Sequence, residues 1–259
     1  MRSAIKFILL LVGITIAKTT LAQLNSIGSG AFHWDEAPVK KDGLRESRKI
    51  VSGTTTEFDF FDVHTTTQQK GAVAKPAHAQ KDIEELIIIK EGTMKCTIGN
   101  KVTELGKGGV LLIPPTVMQV FENIGDGPLT YYVFQFHSKK MNMARSDSAG
   151  GALLINADTL SLKPSEKGGG IKYFDRPTAM ANNFEMHLTK LIAKGPSHTP
   201  HQHIETEIIL VIDGETEMTI DGKHYTAGPG DFYIAESGKM HGMGNATDKP
   251  CSYFAFKWR

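Results

Sequence analysis

The chain has 259 residues, of which 40% are hydrophobic and 22% are charged, and its formal net charge is +1 at pH 7. This length suffices for two modest domains or one large β domain, and the near-neutral charge argues against nucleic acid or acidic membrane surfaces as partners. The sequence also contains no long basic run and no stripe of alternating aromatic and basic residues, which further disfavours nucleic-acid binding.

The first 22 residues have the features of a secretory signal peptide. Arg2 and Lys6 form a short basic start, residues 7–17 are apolar, and residues 20–22 place small side chains where a signal peptidase reads them. The apolar run is too short for a membrane anchor; the alternative is an apolar N-terminal helix that stays on the protein. Cleavage after Ala22 would remove three basic residues and no acidic one, so the net charge becomes −2. The mature protein is predicted to be periplasmic or secreted, with no membrane contact once the signal is removed.

Beyond the signal, short apolar runs alternate with turn residues. Typical runs are residues 86–89, 110–113, 208–212 and 253–256, and Asp221-Gly222 is a strong hairpin turn between two such runs. No segment has a long helical periodicity. The pattern predicts an all-β chain.

The two halves of the chain repeat each other. Four residues recur at an offset of 122: Glu85, Gly92, Asn123 and Pro128 return as Glu207, Gly214, Asn245 and Pro250. A shared offset across separate positions indicates two copies of one β domain. We predict an N-terminal domain at 23–140, a surface linker at 141–170 with one short strand near 152–155, and a C-terminal domain at 171–259.

The second copy carries a set of residues typical of a metal site. His201, His203 and Glu207 lie close together in the sequence, and side chains two residues apart on a strand share a face. His241 arrives on a later strand and can complete the set. Three imidazoles and one carboxylate suit a divalent transition metal, namely Mn, Zn, Ni, Fe or Cu. The alternative is a histidine-rich strand that binds no metal.

These residues lie in two longer motifs. The first runs from Gly195 through His201-Gln202-His203 and Glu207 to Gly214; the second runs from Gly230 through Glu236-Ser237-Gly238 and His241 to Asn245. Both motifs resemble those of the cupin superfamily, and the repeat resembles a bicupin. The resemblance covers nearly the whole mature chain and implies one small jelly-roll β-barrel per copy, with one metal at His201, His203, Glu207 and His241. Glu236 departs from the pattern, since the family usually has Pro there.

The first copy has a weaker ligand set. His78 keeps the first histidine position, but Gln80 replaces the second and Gln119 aligns with His241. Glu85 persists, although Glu84 beside it leaves the aligned carboxylate ambiguous. Neutral amides are poor donors to transition metals, so we expect a structural or regulatory barrel with a degenerate metal site.

Two carboxylates near the second site are candidate catalytic acids or bases. Glu205 lies two residues from both His203 and Glu207, so on a continuous strand its side chain would point to the same face as theirs. A solvated position at a strand bend is an equal alternative. Glu236 lies in the turn before His241, where an exposed turn residue is the plainer interpretation. His187 and His64 recur at one repeat position, which favours a core role over a pocket role. Cys96 and Cys251 lie in different halves and are either a disulfide pair or two buried thiols.

Three classes of function fit a metal-bearing bicupin. The first is a non-redox isomerase or lyase that acts on a small oxygen-rich substrate such as a sugar acid. The second is a metal-dependent dioxygenase; export modestly disfavours it, because Fe(II) is hard to keep reduced in an oxidising compartment. The third is a non-catalytic binding or storage protein. All three imply a small-molecule partner, and the sequence leaves a homo-oligomer open.

Overall fold

The computed structural model describes residues 24–259, so the predicted signal peptide lies outside the described residues. Within this range, no helix is both long enough and apolar enough to cross a membrane.

The first half of the described chain forms ten strands. They are β1 Gly30–Phe32, β2 Val39–Asp42, β3 Arg45–Gly53, β4 Phe60–Gln68, β5 Glu84–Glu91, β6 Met94–Ile98, β7 Lys101–Leu105, β8 Val110–Ile113, β9 Gln119–Asn123 and β10 Leu129–His137. A short 3-10 helix, Trp34–Glu36, follows β1.

The second half repeats this order after one helix, α1 Met143–Ser148. Its strands are β11 Leu153–Ile155, β12 Lys163–Ser165, β13 Gly168–Arg176, β14 Phe184–Leu191, β15 Gly195–Pro196, β16 Thr206–Asp213, β17 Thr216–Ile220, β18 Lys223–Ala227, β19 Phe232–Ala235, β20 His241–Asn245 and β21 Cys251–Trp258. A 3-10 helix, Ala157–Thr159, follows β11. The prediction of an all-β chain is confirmed.

Each copy folds as a large sheet facing a small one. The large sheets have the strand orders β11-β8-β5-β10-β4-β3-β2 and β1-β19-β16-β21-β14-β13-β12. The small sheets are β7-β6-β9 in the first copy and β15-β20-β17-β18 in the second. The predicted Asp221-Gly222 turn joins β17 to β18, and both residues have positive φ (46° and 79°), as a two-residue hairpin turn requires.

The two copies exchange their leading strands. Strand β1 pairs with β19 of the second copy, and β11 pairs with β8 of the first. The predicted surface linker at 141–170 is therefore corrected: its expected short strand is present as β11, but β12 and the start of β13 belong to the second large sheet. The repeat begins well before residue 171, because the leading strands β1 and β11 stand 123 residues apart, within one residue of the offset of 122.

The recurring glycines and prolines mark one tight contact in each barrel. A side chain at Gly92 would bring a Cβ to 2.4 Å from the Pro128 carbonyl oxygen, and one at Gly214 to 2.5 Å from the Pro250 carbonyl oxygen. Both glycines also have positive φ (84° and 75°), which favours glycine. These glycines and prolines recur at one offset because, in each barrel, the turn that contains the glycine packs against the turn that contains the proline.

The largest core cluster lies between the two large sheets. Strand β10 turns Phe134 and Phe136 toward the other barrel, and β21 does the same with Phe256 and Trp258; all four are buried. The Phe134 and Phe256 rings meet edge to face at 5.0 Å between centroids. The opposite faces of these strands fill the separate core of each barrel. Because both faces of β10 and β21 are buried, the sequences of these strands are almost continuously apolar.

Candidate metal centre

The four predicted ligands of the second barrel come together. His201 and His241 face each other across an isolated antiparallel bridge, and Glu207 is the second residue of β16. One ligand atom from each of His201, His203, Glu207 and His241 lies within 4.8 Å of the others. In residues 24–259 this is the single group of three or more such side chains with this spacing.

The histidine rings are oriented by backbone carbonyls. His203 Nδ1 lies 3.0 Å from the Glu205 carbonyl oxygen, and His241 Nδ1 lies 2.8 Å from the Lys239 carbonyl oxygen. A carbonyl only accepts, so each Nδ1 carries the proton and each Nε2 of a neutral ring presents a lone pair. This arrangement is the one that metal-binding histidines use.

Both Nε2 atoms are directed at the Glu207 carboxylate. The distance to Glu207 Oε2 is 2.9 Å from His241 Nε2 and 3.5 Å from His203 Nε2. His203 Nε2 is buried and has no hydrogen-bond partner. Lone pairs that converge on a buried carboxylate repel one another unless positive charge lies among them. The donor set therefore fits a divalent transition metal held by three imidazoles and one carboxylate.

The electrostatics of the cluster favour an ionised Glu207. Burial raises its pKa, but the neighbouring imidazoles of His203 and His241 outweigh burial and hold the pKa below its usual value. The pKa of His201 is lowered by burial and by the neighbouring histidines, His198 first among them. A carboxylate that is ionised and an imidazole that stays neutral are the protonation states in which both groups bind metal.

A cavity of about 510 Å³, lined mostly by polar residues, opens beside the cluster. His201 and Glu207 form part of its wall, together with His187, His198, Tyr253 and Lys257. The interpretation of His187 as a core residue is wrong, since it is half-buried and borders this space. His64 borders the cavity of the first barrel in the same way, so the repeated histidine marks a pocket position.

The sequence interpretation missed His198 and Lys257. His198 stands three residues before His201, and the two rings lie 4.6 Å apart between centroids. Its place within the first motif was an available signal. Lys257 gave no signal, because its direction depends on the pairing of β21 with both β14 and β16.

A cupin-domain family model matches the chain twice, at residues 64–135 and 188–257. The chain is a bicupin of the cupin family. The two matched regions are the two barrels, as the repeat predicted.

Solved structures with the same fold have low sequence identity to this bicupin. They include AerE from Microcystis aeruginosa, with a TM-score of 0.67 and 13% identity over 86% of this chain and 97% of that chain. Protein Ylba from E. coli has a TM-score of 0.67 and 15% identity over 93% and 95% of the two chains. A variant of Bacillus subtilis oxalate decarboxylase has a TM-score of 0.67 and 13% identity over 90% and 78%. At these identities the likeness concerns the fold alone. No curated protein sequence matches the bicupin.

The structure does not place Glu205 at the cavity. Strand β16 begins at Thr206, so the strand alternation that predicted an inward side chain does not extend to residue 205. Glu205 Oε2 lies 3.5 Å from His203 Nδ1, on the far side of the ring from Glu207, and Oε1 lies 3.8 Å from Arg259 Nη1. This carboxylate therefore stands behind His203 and supports its ring, and its predicted role as a catalytic acid or base stays a prediction.

Glu236 is also held away from the cavity. Its Oε2 accepts hydrogen bonds from the backbone N–H and the hydroxyl of Ser29, at 2.9 and 3.0 Å. Ser29 directly precedes the exchanged strand β1. The carboxylate therefore connects the exchanged strand to the second barrel, and its predicted catalytic role stays a prediction.

In the first barrel, amides occupy two of the three imidazole positions, and His78 keeps the other. Glu85 Oε1 accepts from Gln80 Nε2 at 3.3 Å and from Gln135 Nε2 at 2.7 Å, and Oε2 accepts from Gln119 Nε2. The ambiguity between the two glutamates is resolved: Glu84 faces the other barrel and accepts from the Met180 N–H at 2.9 Å. Three donors satisfy Glu85 without a metal.

The two cysteines are not paired. Cys96 and Cys251 are both free and buried, each in the core of its own barrel. Burial raises the pKa of the Cys96 thiol to about 11, so this group is an apolar core residue rather than a reactive thiolate.

Proposed function

We propose that this bicupin is an exported metal-dependent enzyme that acts on a small oxygen-rich substrate, such as a sugar acid, by non-redox isomerase or lyase chemistry. The observation that carries the proposal is the open polar cavity at His201 and Glu207. A purely structural metal site would be closed on all sides, whereas a catalytic site keeps a side open for substrate. The likeness to a protein named as an oxalate decarboxylase supports a small carboxylate as substrate.

The chain supplies groups for both binding and proton transfer. A divalent metal bound at the four ligands would polarise a carbonyl or enolate oxygen of the substrate. The Lys257 ammonium, which pairs with Glu185 Oε1 at 3.3 Å, borders the cavity and can bind a substrate carboxylate. Burial lowers the pKa of His187, so its ring is neutral near pH 7 and can take a proton from the substrate on a ring nitrogen.

The same donor set favours a second candidate, a dioxygenase, and oxygen consumption separates the two. Purified protein loaded separately with Mn, Zn, Ni, Cu or Fe would be incubated with a panel of sugar acids under argon and in air. We expect product by proton NMR at equal rates in both atmospheres, with no oxygen uptake at an electrode. Turnover that stops under argon would establish the dioxygenase instead, and the absence of turnover with every metal would favour a binding protein.

Within that assay, His187→Gln tests the proton-transfer role. The variant is expected to keep its metal and to lose roughly 100-fold or more in kcat, as general bases typically contribute. His224→Gln is the matched control, since His224 is exposed on β18 and pairs only loosely with Glu217, at 3.9 Å. Equal losses in both variants would contradict a specific role for His187.

Export is tested at the N-terminus of the native protein. Protein isolated from its source is expected to begin at Gln23, because Ala22 ends the processing signal. Edman sequencing or intact mass after cell fractionation measures this directly. An intact Met1 on cytoplasmic protein would contradict export and would remove the argument against Fe(II).

A further inference from the structure

The first barrel contains a cavity of its own although its metal site is degenerate. The cavity has a volume of about 200 Å³ and leads from exposed Lys75 and His78 to a buried floor that includes Gln68, Glu85 and Gln119. A water molecule takes up about 30 Å³ in the liquid, so the space holds roughly six or seven non-hydrogen atoms. This is the size of a small organic acid.

Two acceptors on the cavity floor have no donor. Gln68 Nε2 donates to Tyr131 Oη at 3.2 Å and to the Phe121 carbonyl oxygen. Gln119 Nε2 donates to Glu85. Fixing the amide nitrogens in this way leaves both Oε1 atoms buried and without a hydrogen-bond partner. Each side chain is only 1% exposed. Buried acceptors are rarely left unpaired, and a small shift of these two side chains toward the cavity would let a ligand hydroxyl supply the missing donors.

The charges around the cavity favour an anion. Arg45 and Lys75 border it, and Glu85 is the one carboxylate among its lining residues. Glu85 is already satisfied by three amides, and the nearby Asp62 is paired with His64 at 2.8 Å and with Lys49 at 3.2 Å. Two cations against one carboxylate leave a single positive charge for a ligand to neutralise.

We propose that the first barrel binds a small hydroxy acid of three carbons without metal. The ligand carboxylate pairs with Arg45 and Lys75, and its hydroxyls donate to Gln68 Oε1 and Gln119 Oε1. This site is separate from the metal centre of the second barrel and goes beyond the function proposed for it. The barrel that lost its imidazoles thus retains a ligand-binding role.

Calorimetric titration of the mature protein in EDTA tests the proposal. Glycerate carries both the carboxylate and the hydroxyls, propionate lacks the hydroxyls, glycerol lacks the carboxylate, and serine has an ammonium group. We expect one glycerate per chain, bound at least tenfold tighter than the other three compounds. Tighter binding of serine would overturn the hydroxy-acid assignment, and no binding of any compound would mean that water alone fills the cavity.

Variants locate the site. Arg45→Gln and Lys75→Gln are each expected to weaken glycerate binding at least tenfold, whereas Lys70→Gln should not, because Lys70 lies outside the cavity and pairs with Asp126 at 2.7 Å. Gln119→Leu should weaken glycerate binding but leave it tighter than propionate binding, because Gln68 Oε1 still accepts one hydroxyl. Melting curves without ligand report whether each variant folds. Because Lys75 is exposed, Lys75→Gln should fold, and it still tests the site if Gln119→Leu does not fold. An unchanged affinity in the Lys75 and Arg45 variants would overturn the site.

A further variant separates this proposal from the metal-dependent function. His203→Gln alters only the second barrel, so glycerate binding in EDTA should be unchanged. Binding that disappears in this variant, or that requires added metal, would place the ligand at the metal centre. That result would overturn the first-barrel site and leave the proposed enzyme function standing.

Discussion

Replacing His203 by Gln is expected to abolish tight metal binding while the barrel still folds. The wild-type protein should hold about one metal per chain, since only the second barrel has three imidazoles around its carboxylate. Loss of an outer-shell partner alone typically costs 10–100-fold in metal affinity, so loss of a direct ligand should cost about 100-fold or more. Elemental analysis after dialysis, with and without added metal, measures the change.

The fold should survive because the first barrel already contains this residue. Gln80 stands at the position of His203 and donates to Glu85 at 3.3 Å, so a glutamine at 203 can donate to Glu207 in the same way. Melting temperatures of the metal-free proteins should therefore be close, and added metal should stabilise only the wild type. His224→Gln, the same change at an exposed position, should behave as wild type.

Two outcomes would contradict this expectation. Full metal occupancy in His203→Gln would show that the ligand set is wrong. Loss of metal with unchanged turnover would show that the metal is structural, and the enzyme proposal would then fail.

The double substitution Gln80→His/Gln119→His is expected to create a second metal site, so the chain should bind two metals. His78 and Gln119 face each other across an isolated bridge that matches the one between His201 and His241. Both glutamine side chains already contact Glu85, so imidazoles there would meet the same carboxylate. The new site should be weaker than the native one, because Gln135 still donates to Glu85 at 2.7 Å.

The single substitution Gln80→His is the control. It supplies two imidazoles but leaves an amide at 119, and amides are poor ligands for transition metals. We therefore expect it to stay at one metal per chain by elemental analysis. A double variant that also remains at one metal would show that the two barrels do not position these residues equivalently.

The sequence was sufficient to predict the β class, the duplication and the four clustered residues. Each of these rests on short-range patterns: apolar runs between turns, anchors such as Gly92 and Gly214 at one offset, and histidines at strand spacing. Local patterns are reliable where one short segment places several side chains together, as residues 201–207 do. The late His241 was found because its motif repeats a known arrangement.

Only the tertiary structure decided the strand exchange and the roles of the remaining polar residues. The sequence predicted β11 as a short strand but did not predict β1, and neither three-residue segment indicates that it pairs with a strand of the opposite copy. Glu236 accepts a hydrogen bond from Ser29, which lies 207 residues away in the sequence. Glu205 stands behind His203 because β16 starts one residue later. The direction of such side chains depends on long-range partners, and a local sequence pattern carries no information about those partners.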